Sequence, residues 1–99
     1  MEQAGDVARI VVAGELDVAS AEELRTVGRR ALAEPDCTRL VLDLSAVDFI
    51  DSSGISALVE LRNLTVAKQI GLELHDPSPR VVEVLRLTAL DAVFVTDAE

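Results

Sequence analysis

Aromatic residues are scarce in this chain: Phe49 and Phe94 are the two present, with no tryptophan or tyrosine. Its core must therefore be built from Val, Leu, Ile and Ala, a composition typical of a buried sheet covered by helices. Cysteine occurs once, as Cys37, so no internal disulfide can form. The lack of a disulfide framework fits a reducing compartment. Histidine also occurs once, as His75. A lone histidine and a lone cysteine supply neither a metal cluster nor a nucleophile with its oriented base. A phosphate loop with its lysine and a dinucleotide fingerprint are both missing. Nothing nominates an enzyme, a metal site or a cofactor. No apolar run reaches the roughly 18 to 20 residues that span a bilayer. Met1-Glu2-Gln3-Ala4-Gly5-Asp6 lacks the basic start of a secretory leader. The expected setting is the cytoplasm, without membrane insertion.

Positive charge is the next shortage. Nine Lys and Arg stand against 18 Asp and Glu, for a formal net charge of -9. Such a surface repels nucleic acid and anionic membranes, which select basic patches. It suits a protein partner with a basic or mixed face. Hydrophobic residues make up 49% of the 99, which excludes disorder and fits one domain over residues 1–99.

What is present alternates between short apolar runs and helical faces. Val7 to Ala13, ended by Gly14, reads as a strand. Ser20-Ala21-Glu22-Glu23 reads as a capping box opening a helix that Pro35 stops. Leu40 to Leu44 reads as a second strand, followed by a turn-rich segment from Ser45 to Gly54. Ile55 to about Lys68 is the longest helix candidate. Its stripe of Ser56, Glu60, Asn63 and Ala67 is narrow, and Ile55, Leu58, Val59, Leu61, Leu64 and Val66 cover most of the rest. Leu72 to His75 reads as a strand, Ser78-Pro79 as a capped helix start, and Ala92 to Val95 as a last, edge strand. Strand and helix alternate throughout. This predicts an α/β fold with a mainly parallel sheet of four to five strands and about three helices. Three helices cannot cover both faces of such a sheet, so one face is expected to be thinly covered or completed by a partner.

The informative stretch is Val47-Asp48-Phe49-Ile50-Asp51-Ser52-Ser53-Gly54-Ile55. It places two acids and two hydroxyls at a helix N-terminus, where backbone N–H groups are unpaired and the dipole is positive. Capping alone would explain one such residue. Here Asp51, Ser52 and Ser53 compete for the position.

Phe49-Ile50-Asp51-Ser52-Ser53-Gly54-Ile55 resembles the signature of the STAS family, which includes the bacterial anti-sigma factor antagonists. Three further stretches match in order. They are Gly14-Glu15-Leu16-Asp17 with Ser20-Ala21-Glu22-Glu23-Leu24, then Leu40 to Leu44, then Pro77 to Asp91 with Phe94 behind. Relatives usually continue past the last strand into another helix. Many carry Leu-Gly where this chain has Ile55-Ser56. The resemblance implies phosphorylation at Ser52, with Ser53 as the second candidate. It implies a docking surface of Asp17, Asp51, Ser52, Ser53, Gly54, Ile55 and Ser56. The implied partners are an anti-sigma factor that is also a serine kinase, and a phosphatase. Docking would release a sigma factor and so regulate transcription. The expected oligomeric state is a monomer or weak dimer. Three rival readings stand beside it: a STAS subunit of a transport assembly binding a transporter ATPase, a nucleotide-binding module using the Ser53-Gly54 helix start, and a scaffold in which the motif only caps a helix.

Overall fold

The computed structural model describes residues 2–4 and 6–94. Its elements are β1 (Glu2–Ala4), β2 (Val7–Leu16), α1 (Val18–Ala33), β3 (Arg39–Ile50), α2 (Ser52–Lys68), β4 (Gly71–His75) and α3 (Pro79–Leu87). The strands form one sheet in the order β1-β2-β3-β4. β1 pairs antiparallel with β2, while β2, β3 and β4 run parallel. Two successive right-handed crossovers, both stepping the same way across the sheet, place α1 and α2 on the same face. The α/β fold and its largely parallel sheet are those expected.

Strand alternation shows which face that is. Ala8 and Ile10 stand beside Leu40 and Leu42, which stand beside Leu72 and Leu74. These side chains meet Leu24 and Leu32 of α1, Leu58 and Leu61 of α2, and Val81 and Leu85 of α3 in one core cluster. The opposite face carries Arg9, Val11, Val41, Asp43, Glu73 and His75. Arg9 pairs with Asp43 at 2.8 Å, and Arg39 pairs with Glu73. Val41 is buried there, outside the core cluster. The expectation of one thinly covered face is met.

Four expectations need correction. α1 begins at Val18, not Ser20, because Asp17 caps it: its carboxylate accepts from the Ser20 N–H, and Ser20 Oγ accepts from the Asp17 N–H. Ser20 closes the capping box from its third position instead of opening it.

The segment from Ser45 to Ile50 is strand, not turn. Register shifts between Val11 and Ala13, and again between Gly14 and Glu15, give β3 one more residue than β2 each time. These bulges absorb Ser45 and Asp48, whose polar side chains break the period of two. Gly14 sits at the second shift with φ of +78°, a conformation that favours glycine.

In α2, Val66 is exposed and Thr65 is buried in its place, its hydroxyl donating to the Arg62 carbonyl at 2.7 Å. The expected last strand is absent among the described residues. Ala92 and Val93 lie in a turn closed by the Val93 N–H on the Leu90 carbonyl, and Val95 lies outside the described residues. The apolar character of that run serves Phe94, which is buried in the core rather than paired in the sheet.

Candidate functional site

Two strand ends meet at one corner of the molecule. Leu16, the last residue of β2, pairs in register with Ile50, the last residue of β3. The Asp51 N–H donates to the Leu16 carbonyl at 3.3 Å, tying the two strand-to-helix junctions together. Gly54 permits this. A Cβ there would lie 2.7 Å from the Leu16 carbonyl oxygen and 2.8 Å from both Ile50 Cγ1 and Leu16 Cγ. Any larger residue would push the first turn of α2 off the end of β2. Gly54 is buried, so its part in the site is to set the spacing.

The competition for the α2 cap has a clear outcome. Asp51 is the N-cap, with Oδ1 accepting from the Ser53 N–H at 2.9 Å and the Gly54 N–H at 3.2 Å. Ser52 is therefore the first helical residue. It is exposed, and among the described residues its hydroxyl makes no hydrogen bond. Ser53 and Ile55 are half-buried and Ser56 is exposed one turn further on. A hydroxyl held at a helix N-terminus, open to solvent and needed by nothing within the fold, is available for chemistry or for docking.

Asp17 lies at the adjoining junction, directly after Leu16. Its hydrogen bonds from the Ser20 backbone and hydroxyl hold its carboxyl below the usual carboxylate range. The structure thus brings Asp17, Asp51, Ser52, Ser53 and Gly54 to one corner, with Ile55 and Ser56 leading away along α2.

Two apolar residues that the motif reading passed over also reach this corner. Phe49, paired with Glu15, is 39% exposed, and Val18, first in α1, is 69% exposed. An exposed aromatic beside polar groups is the kind of anchor that interfaces use. Phe49 was visible in the motif. It directly precedes the buried Ile50, so strand alternation turns its side chain to the face away from the core. No group of acids, histidines and cysteines among the described residues is arranged to hold a metal ion.

The STAS domain family model matches residues 1–99, the whole chain. The chain belongs to the STAS family. A solved anti-sigma factor antagonist from Mycobacterium paratuberculosis superposes on this STAS domain with a TM-score of 0.83 at 29% identity, covering 96% of this chain and 80% of that one. The anti-sigma factor antagonist SpoIIAA, in its unphosphorylated form, gives a TM-score of 0.82 at 23% identity, over 100% of this chain and 86% of that one. At that identity the likeness is one of fold. SpoIIAA has also been solved in its phosphorylated form. A curated relative of another kind is high affinity sulfate transporter 2 of Stylosanthes hamata, 34% identical over 71 residues. That match takes in 66% of this STAS domain and 11% of the transporter, so the chain spans a small part of that relative. No helix among the described residues is long and apolar enough to cross a membrane.

Proposed function

We propose that this STAS domain is an anti-sigma factor antagonist whose docking is switched by phosphorylation of Ser52. The observation that carries the reading is the state of the Ser52 hydroxyl. It is exposed at the first position of α2 and free of hydrogen bonds among the described residues, because Asp51 already caps the helix. A kinase can reach it without disturbing the cap.

Phosphorylation adds about −1.5 to −2 charges and three acceptor oxygens. The N-terminus of α2 tolerates them, since its dipole favours negative charge. The cost falls on the interface instead. The phosphate would stand among Asp17, Asp48 and Asp51 and would have to be desolvated beside them on docking. A change of 1.4 kcal/mol is already tenfold in affinity. The docking partner in this reading is an anti-sigma factor with serine kinase activity, reset by a phosphatase. Its capture frees a sigma factor and regulates transcription from the cytoplasm. Phe49 and Val18 supply apolar anchors beside the switch. Ser53, half-buried with its N–H held by Asp51, is the poorer target.

The test is binding of the host's anti-sigma factor to wild type, Ser52→Ala and Ser52→Asp. Wild type and Ser52→Ala are expected to bind equally and Ser52→Asp to lose at least tenfold. Equal binding by all three would remove the switch. A second reading has a specific observation behind it, the 34% identity to a sulfate transporter. In that reading the domain serves a transport assembly, its partner is a transporter subunit, and substitution at Ser52 leaves assembly intact.

A further inference from the structure

Where β2 and β3 run side by side toward the Ser52 corner, Glu15 and Phe49 stand opposite each other in register. Each directly precedes a buried strand end, Leu16 or Ile50, so strand alternation turns both side chains to the face away from the helices. Neighbouring strands lie about 4.8 Å apart, so one ligand group can touch both residues. Both are exposed. The Ser20 hydroxyl donates to the Glu15 carbonyl at 2.6 Å and holds that main chain in place.

What the pair lacks is a cation. Lower on the same sheet face the acids have partners: Asp43 has Arg9, and Glu73 has Arg39. Glu15 and Asp48 form no ion pair among the described residues. No lysine or arginine occurs from Ile10 to Leu24 or from Leu40 to Leu61. Arg25, the next along α1, pairs with Glu22 and Glu60, and Arg80 at the start of α3 pairs with Glu83.

We infer that Phe49 and Glu15 together receive one arginine side chain of the docking partner, its guanidinium lying on the ring and donating to the Glu15 carboxylate. This rests on the reading that the Ser52 corner docks a protein, and it names the group that the partner brings. The face of an aromatic ring is negative and attracts cations. A guanidinium is flat, so it can stack on the ring while its edge presents paired N–H groups to a carboxylate. A lysine ammonium is a compact, strongly hydrated point charge without that edge. Asp48, exposed beside Phe49, adds to the field that draws the cation in. A second copy of this chain, with its net charge of -9, would approach acid against acid, so the arginine comes from a different protein.

The test is binding of the host's anti-sigma factor to Phe49→Leu, Glu15→Gln and the double variant. All are surface changes whose melts should match wild type. Each single variant is expected to weaken binding about tenfold. The double variant should lose about as much as either alone, well short of the roughly hundredfold of independent losses, because both residues hold one guanidinium. Glu34→Gln, which removes a charge at the far end of α1, is expected to bind as wild type does. Cyclohexanedione modifies arginine and spares lysine. Applied to the complex, it should leave one arginine of the anti-sigma factor protected, and Phe49→Leu should lose that protection. Unchanged binding by either single variant, independent losses in the double variant, equal weakening by Glu34→Gln, or no protected arginine would overturn the assignment. Ser52→Asp separates it from the switch. If Ser52→Asp binds as wild type does while the other results hold, the switch falls and the arginine seat stands. If Ser52→Asp loses binding while Phe49→Leu and Glu15→Gln keep it, the seat falls and the switch stands. No binding by wild type would overturn both.

Discussion

α1 and α2 start side by side and with the same device, an aspartate N-cap following a strand's last residue. They differ in what the serine does. At α1, Ser20 Oγ accepts from the Asp17 N–H at 2.9 Å and donates to the Glu15 carbonyl at 2.6 Å. At α2, Ser52 stands one residue after its aspartate and its hydroxyl is left over. The same residue type is part of the structure at one junction and available at the other. A motif that only capped a helix would spend its serine as Ser20 is spent. The α2 junction instead places all of its capping on Asp51.

The largest expected effect tests what holds the two junctions together. Gly54→Ala puts a methyl 2.7 Å from a backbone oxygen that cannot swing away. It should cost about 3 kcal/mol of stability, at the upper end for overpacking, read as the shift in the urea midpoint at unchanged slope. A loss below about 1 kcal/mol would mean that the junctions part easily. Next comes the cap. Asp51→Ala leaves the Ser53 and Gly54 N–H groups without their acceptor and should cost about 1 kcal/mol, with Asp51→Asn recovering most of it.

The serine pair then makes the comparison directly. Ser20→Ala removes hydrogen bonds at both ends of its hydroxyl and should cost about 1 kcal/mol. Ser52→Ala removes none and should fall within about 0.5 kcal/mol of wild type. Equal losses in the two thermal melts would show that the Ser52 hydroxyl has a structural duty after all.

The sequence made some of this legible. The Val and Ile runs, the Ser78-Pro79 helix start and the crowding of Asp51, Ser52 and Ser53 are local signals, and each corresponds to an element or cap in the structure. Which of the three crowded residues caps α2 was not legible, because the choice depends on where β3 ends. That end is set by two bulges, and a bulge leaves only a broken alternation in the sequence, which Ser45 and Asp48 made look like a turn. Ala92 to Phe94 misled for a related reason. A run of apolar residues says that something is buried, and here one side chain, Phe94, meets that need without a strand.

The smallest effect separates the two aspartates whose acidity the fold changes. Asp17 is held below its ordinary value of 3.8 first by the Ser20 backbone hydrogen bond, then by the Ser20 hydroxyl. Asp43 is held below the same value first by its hydrogen bond with the Ser45 hydroxyl at 2.7 Å, then by the Ser45 N–H and the charge of Arg9. In each case the unfolded chain takes up the proton at a higher pH than the folded one. The contribution to stability is therefore complete above the ordinary value and is lost as pH falls through the lowered one. Between about pH 5 and about pH 3, wild type should lose stability more steeply than Asp17→Asn or Asp43→Asn, each of which removes one titrating group. Asp17→Asn keeps a side chain that can still cap α1, so its curve should lie near wild type at the acid end and fall below it toward neutral pH. If its slope matched wild type throughout, the Asp17 carboxylate would not be held by Ser20 as the geometry indicates. The locked junction at α1 would then differ less from the open one at α2.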